Sequence, residues 1–478
     1  MLFNSVQFFL FLAAVLVAIA ALRRERSRRV LLLAASDLFY AWWDWRFLIL
    51  FWFLKVANYY IGNRLAAQTP SPSARRTLAG GVILNLITLG FFKYYYFFGE
   101  TMTGLGSALG WNLGLPDLSI VLPLGISFYT FQALAYLVDI YRRELPPARS
   151  LFEFSLFLGF FPQVIAGPIE RGHDLLPQLR QSRPLSAGRF SEGSFLILWG
   201  LFKKVVVADT LAMRVDPLFA ASDVDAGMAI LAGIGFSFQI YADFSAYTDI
   251  ARGAARLLGY DLSQNFRQPL FACSPREFWQ SWHMTFSRWL RDYIYFPLGG
   301  SRKGLFWTNF NILVTFFLCG LWHGAAWTFV LWGVYQGVLL AVNANFVVLH
   351  RRLTARFKLP KPGPVVRVVG IVLAWALTFS LLAYGRILFR SESLAQVGEF
   401  TAALGRGSFA STFALDLLKT TAYVMPVVVY DAIVRLTKDE FAVVNRSPWL
   451  GGLFIAALLY GLMVFGVIGG DTFIYFEF

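Results

Sequence analysis

Two Trp-His dipeptides, Trp282-His283 and Trp322-His323, stand in a 478-residue chain that has only four histidines. His323 lies in Cys319-Gly-Leu-Trp-His-Gly-Ala-Ala-Trp327, inside a hydrophobic stretch from about Leu305 to Leu349. An imidazole at membrane depth is costly unless something uses it. It is also the side chain best suited to moving a proton near neutral pH. His323 is therefore a candidate general base, taking a proton from an acceptor hydroxyl or handing one to a leaving group. It could equally be a packing histidine bonded to a neighbouring span. Gly320 and Gly324 flank it and suit the close approach of either a substrate or another helix. His283 is a candidate donor or orienter for the reacting group, or an interfacial histidine packed among tryptophans. His173 and His350 sit in polar connections beside basic residues and read as solvated.

Two further apolar segments carry polar stripes. Tyr129, Gln132, Tyr136 and Asp139 fall on one face of a helix, and Gln239, Asp243 and Tyr247 on one face of another. With Trp282 and Trp322 they are candidates for lining a substrate tunnel. The stripes would also serve as interhelical hydrogen bonding that holds a bundle together. No His/Cys cluster has metal-ligand spacing, so no metal is expected. Cys273 and Cys319 suggest no disulfide framework. There is no G-x-S-x-G, P-loop or G-x-G-x-x-G, and no bound cofactor is expected.

These residues need membrane helices to position them. The chain is 57% hydrophobic and only 15% charged, with a mean hydropathy of +0.58. A soluble domain carries about a quarter charged residues. Apolar segments fall at roughly 3–22, 30–61, 78–98, 119–141, 151–168, 193–213, 226–251, 305–321, 325–349, 365–389, 412–436 and 449–470. The fold class is all-α: a polytopic membrane bundle of about 10–13 helices. The 30–61 block, interrupted at Trp42-Trp43-Asp44-Trp45-Arg46, reads as two short helices or one long tilted one. The 151–168 block, with Pro162, Gly167 and Pro168, reads as a broken or re-entrant helix. No polar connection (169–192, 214–225, 259–277, 350–364 or 390–411) is long enough for a soluble domain.

The net charge of +14 comes from basic residues clustered between spans. That pattern speaks for a lipid bilayer with an anionic surface, not for nucleic acid. Residues 1–22 lack a basic leader and are followed by Arg23, Arg24, Arg26, Arg28 and Arg29, so a retained span with its N-terminus outside is expected. Arg351, Arg352, Arg356, Lys358 and Lys361 make 350–361 a second cytoplasmic candidate. Residues 259–304 hold too many charges for a lipid-facing span. Phe278, Trp282, Phe286, Trp289 and Tyr293 share one helical face there, with Arg288, Arg291, Asp292 and Tyr295 on another. This segment reads as an amphipathic or protein-buried helix near the interface.

At these residues the chain resembles the membrane-bound O-acyltransferase family, and within it the branch that O-acetylates alginate. The resemblance is carried by nine blocks in order: Pro123-Leu-Gly-Ile-Ser-Phe-Tyr-Thr-Phe-Gln132, Gln163-Val-Ile-Ala-Gly-Pro-Ile169, Gly200-Leu-Phe-Lys-Lys-Val205, Asp243-Phe-Ser-Ala-Tyr-Thr-Asp249, Glu277-Phe-Trp-Gln-Ser-Trp-His283, Trp289-Leu-Arg-Asp-Tyr293, Pro297-Leu-Gly-Gly300, Gly320-Leu-Trp-His-Gly324 and Phe473-Ile-Tyr-Phe-Glu-Phe478. It implies that His323 is catalytic and His283 its companion. It also implies one membrane domain over 1–478, with a catalytic core at about 119–350 and C-terminal helices at about 365–470, around a funnel or tunnel. One departure is visible: Gln280 and Ser281 stand where the family often has two arginines.

The activity this implies is transfer of an acetyl group from a cytoplasmic donor, acetyl-CoA, across a bacterial inner membrane. The acetyl group would pass to an exopolysaccharide or cell-wall polymer, with an extracytoplasmic acetyltransferase as partner. D-alanyl transfer to teichoic acid from a carrier thioester is a rival. Here about 155 residues follow His323, more than that branch has. A lipid or protein acyltransferase with a long-chain donor is a further rival, and a transporter or scaffold is the non-enzymatic one.

Overall fold

The computed structural model describes all residues except 112, 113, 115, 166, 182, 183, 359–362, 468–472 and 475–478. Ala166, Lys361 and the last four residues of the terminal block lie outside the described residues. Among the described residues the chain is helical, with no strand.

Among the described residues seven helices are long and apolar enough to cross a membrane: Pro72–Ala108, Ala226–Leu257, Leu305–His323, Trp327–Phe357, Pro364–Arg390, Phe413–Thr437 and Pro448–Phe465. Val6–Ala21, Trp45–Ala67 and Ile126–Tyr141 also form on expected apolar segments, but they are shorter or carry polar residues. Those polar groups pair inside the protein. Lys55 Nζ lies 2.8 Å from Asp37, and the amides of Asn58 and Asn85 bond to each other. A helix that buries its polar face this way need not be uniformly apolar.

The 30–61 block is two helices, Glu25–Ala41 and Trp45–Ala67. Asp44 caps the second by accepting from the Arg46 N–H at 2.9 Å. The 151–168 block is a broken helix, Leu151–Gly159 followed by Phe161–Val164. At the break the Phe161 N–H donates to Ser36 Oγ at 3.1 Å, so the freed backbone group stays satisfied. Two polar connections carry short helices of their own, Gly172–Arg180 and Leu394–Arg406.

The chain divides into two compact units. The first is Met1–Ile197 with Tyr247–Ser263, and the second is Leu198–Ala246 with Gln264–Phe478. Both Trp-His dipeptides belong to the second. Its frame is the hairpin of Leu305–His323 and Trp327–Phe357, joined by the turn 324–326. Two glycines set how close these helices come. A Cβ on Gly333 would lie 2.4 Å from the Phe316 carbonyl oxygen, and one on Gly320 would lie 2.3 Å from that of Phe329. Gly320 therefore serves helix packing. Pro364–Arg390 lies against the hairpin, with Tyr335 Oη donating to the Leu381 carbonyl at 2.8 Å.

Residues 259–304 do not form one amphipathic helix. They give Pro275–Trp279, Met284–Leu290 and a wider turn over Arg291–Tyr295. The break is at His283, whose φ of 42° is left-handed. Phe278, Trp282, Phe286 and Trp289 are buried, while Arg288 and Arg291 are exposed, so the two-faced character survives the break.

Gly333→Ala tests the hairpin contact. Overpacking against a backbone oxygen costs about 1–3 kcal/mol. The variant should melt earlier than wild type in detergent by differential scanning fluorimetry. An unchanged midpoint would mean the helices separate freely.

Candidate active site

The geometry of His283 is fixed by Asn265. Asn265 Oδ1 lies 3.2 Å from His283 Nδ1 and also accepts from the Thr285 N–H at 3.2 Å and Thr285 Oγ1 at 2.9 Å. The Asn265 carbonyl accepts from the Met284 N–H at 2.8 Å. A backbone N–H only donates, so the atom facing Thr285 is the amide oxygen and not the amide nitrogen. His283 must then carry its proton on Nδ1, which leaves Nε2 as the acceptor. The same contacts satisfy two orphan N–H groups at the start of the Met284–Leu290 helix and offset the left-handed backbone at His283.

The His283 ring is fully buried. Phe244 packs edge-on at 4.8 Å between centroids, Phe286 lies at 5.0 Å and Trp322 at 6.0 Å. Burial pushes its pKa down to about 3, so it stays neutral at physiological pH.

His323 is the last residue of its helix, and the following Gly324 is extended. It is 3% exposed. Aromatic rings surround it: Trp322 at 4.7 Å, Trp332 at 4.8 Å, Phe389 at 5.2 Å and Phe286 at 6.0 Å. Phe286 and Trp322, stacked at 4.1 Å, each contact both imidazoles. Two histidines forty positions apart thus share two neighbouring rings. Trp332 is 1% exposed, and its indole N–H has no hydrogen-bond acceptor among the described residues.

Pro364–Arg390 serves both dipeptides. Phe389 touches His323, and the buried Arg386 guanidinium lies 4.4 Å from the Trp282 ring. Asp243 is committed elsewhere. It accepts from Lys204 Nζ at 2.9 Å and from the Ile474 N–H at 2.9 Å, and Lys204 also reaches Asp209 at 2.8 Å. Gln239 is buried on the same helix.

The other stripe belongs to the first unit, where its members bond within the bundle. Gln132 Nε2 donates to the Phe157 carbonyl at 3.0 Å. Tyr136 Oη accepts from the Ala148 N–H at 3.0 Å. Tyr129 packs on Phe51 at 4.6 Å, and Asp139 is buried. Tyr247 Oη bonds Asn4 at 3.2 Å, also in the first unit. His173 and His350 lie outside the aromatic cluster. His173 is half exposed beside Asp174, and His350 stacks on Phe346.

Asn265, Trp332 and Phe389 join the site without being marked by sequence pattern, and Arg386 joins it as well. No spacing rule links Asn265 to His283 across eighteen positions. Arg386 does carry a signal, as an arginine inside the 365–389 apolar run.

Burial of a neutral His283 gives stability a pH dependence. Between pH 3 and 6.5 the unfolded chain binds a proton that the folded chain refuses, so stability falls as pH falls below about 6.5. Lowering pH from about 7.5 to about 5.5 should cost on the order of 1 kcal/mol through this group. The His283→Gln protein should show a correspondingly shallower loss of melting temperature. Parallel pH profiles for the two proteins would mean that His283 binds a proton in the folded state.

The model of the family described as "MBOAT, membrane-bound O-acyltransferase family" matches residues 142–384, a span that includes both dipeptides. The protein named "Probable alginate O-acetylase AlgI" in Azotobacter vinelandii is 39% identical, over 82% of this chain and 76% of its own. The "Peptidoglycan O-acetyltransferase" of Helicobacter pylori is 35% identical, over 76% and 71%. The "Teichoic acid D-alanyltransferase" of Bacillus subtilis is 24% identical, over 58% and 71%. With its apolar helices and this family match, the chain is a multi-pass membrane protein and an O-acyltransferase of the membrane-bound O-acyltransferase family.

Proposed function

We propose that this O-acyltransferase takes an acetyl group from a cytoplasmic thioester, acetyl-CoA, and delivers it across a bacterial inner membrane for O-acetylation of an exopolysaccharide or cell-wall polymer. An extracytoplasmic acetyltransferase is the proposed partner that completes the modification. The acetyl reading is supported by the relatives named for acetylation, which align over more of the chain, at higher identity, than those named for D-alanylation. The observation that carries the chemistry is the buried His323 at its helix end, sharing two aromatic neighbours with an anchored, neutral His283.

In the proposed reaction a hydroxyl oxygen attacks the thioester carbonyl carbon while His323 takes its proton. The tetrahedral oxyanion then collapses, the C–S bond breaks, and the thiolate leaves with the proton from the imidazolium. The products are an acetyl ester and free thiol, with His323 neutral again. The carbonyl end of the helix dipole favours a cation forming on this ring. His283 holds its proton on Nδ1 toward Asn265 and offers Nε2 as an acceptor. It therefore orients a hydroxyl and does not supply a proton. The Trp332 N–H is the proposed donor to the carbonyl oxygen as charge develops there. Gln239 and Asp243 remain proposed as tunnel lining with Trp282 and Trp322 in the second unit, and Tyr129, Gln132, Tyr136, Asp139 and Tyr247 as lining within the first.

General-base help is worth about two to four orders of magnitude. His323→Gln, inserted at normal level, should lower acetyl transfer from labelled acetyl-CoA by at least the smaller of these. Wild-type turnover in that variant would make His323 structural.

Trp332→Phe keeps the ring and removes the N–H. Loss of one donor to an oxyanion costs about 10²–10³ in kcat. The variant should lose kcat with KM for acetyl-CoA little changed. A change in KM alone would assign Trp332 to packing.

A further inference from the structure

We propose that a polar cavity beside His283 binds the phosphate groups of the acyl donor on Arg267, Arg435 and Lys438. This rests on the donor reading above and gives it a place. The cavity has a volume of about 540 Å³ and lies within the second unit. That is the size of a small-molecule site. Two of its walls come from the stretches on either side of the Asn265–His283 contact, and the third is Val434, Arg435, Lys438 and Glu440. Gln264 lines it and precedes Asn265, the anchor of the imidazole. Ser281 lines it and precedes Trp282-His283, and the Ser281 carbonyl accepts from the Arg267 N–H at 2.9 Å.

The charges in the cavity suit an anion. Arg267, Arg435 and Lys438 stand against two carboxylates, Glu277 and Glu440. Glu277 Oε1 accepts from Arg435 at 3.1 Å and its Oε2 from the Cys273 N–H at 2.9 Å. Glu277 therefore fixes the Arg435 guanidinium at the wall. Arg267 and Lys438 are exposed and have no carboxylate partner among the described residues. Three cations against two carboxylates, two of the cations exposed and unpaired with a carboxylate, suit a ligand with several phosphate oxygens.

The side of the membrane selects the donor over the polymer. Leu305–His323 and Trp327–Phe357 form a hairpin, so both its open ends lie on one side. Those ends carry Arg302 and Lys303, then Arg351, Arg352, Arg356 and Lys358. Positive charge of this density marks the cytoplasmic side. Pro364–Arg390 starts there and crosses, and the 13-residue Leu394–Arg406 helix is too short to cross back. Phe413–Thr437 then returns, which puts Arg435 and Lys438 at its cytoplasmic end. A cytoplasmic cavity meets a nucleotide thioester and not a secreted polymer.

The test is binding of coenzyme A to the detergent-purified full chain by equilibrium dialysis, comparing wild type with the Arg267→Gln/Lys438→Gln double variant. Both side chains are exposed, so the variant should keep the wild-type melting temperature. Charge-assisted bonds of this kind make its affinity weaker by about tenfold to a hundredfold. Pantetheine, which lacks phosphate, should compete equally well in both proteins. Wild-type affinity for coenzyme A in the variant would overturn the site while leaving the donor reading intact. No binding of coenzyme A to wild type would overturn the donor reading and the site with it. Weaker binding of a uronate oligosaccharide, with coenzyme A unaffected, would give the cavity to the acceptor and overturn the proposal.

Discussion

One amide oxygen organises the candidate site. Asn265 Oδ1 receives the His283 imidazole N–H, the Thr285 backbone N–H and the Thr285 hydroxyl. It closes the start of one short helix, holds the chain break that precedes it and selects the histidine tautomer. Without it a left-handed His283 would cost backbone energy with nothing to offset it. Met284–Leu290 carries Phe286, and Phe286 carries the contact to His323. The spacing of the two imidazoles therefore depends on Asn265, a residue distant from both in sequence. The three bonds accepted by this oxygen offset the cost of taking it out of water.

The apolar segments were legible because membrane depth demands long runs with internally satisfied backbone. The two Trp-His dipeptides were legible for the opposite reason, since a polar ring in such a run stands out. What periodicity could not give was the break at His283. Phe278, Trp282, Phe286 and Trp289 fit a helical period and are indeed all buried. A buried face looks the same whether one helix or two short ones present it. The break follows from Asn265 capturing the backbone of Met284 and Thr285, and a local pattern holds no record of that tertiary contact. Trp332 and Phe389 were invisible for a similar reason. They are ordinary aromatics in apolar helices until the fold sets them against His323.

The stripes show how one pattern serves different ends. Gln132 and Tyr136 bond the backbone of neighbouring segments in the first unit. Asp243 enters an ion cluster with Lys204 and Asp209 in the second. Both outcomes satisfy the same rule, that polar groups among apolar helices must find partners.

The two kinds of polar group near the site are handled differently, and the difference bears on mechanism. One set of permanent charges is closed on itself: Lys204 lies between two carboxylates, one of which also takes the Ile474 N–H. The rings packed on the histidines include Phe244, Phe286, Trp322, Trp332 and Phe389, none of which carries a formal charge. Proton transfer to His323 during the reaction would create a positive charge in these aromatic surroundings. In the proposed reaction its partner is the negative charge that forms beside it on the reacting carbonyl. Attraction between those transient charges is strong because water is excluded. Aromatic walls of this kind suit acyl transfer by proton exchange, in which charge develops and disappears within one turnover.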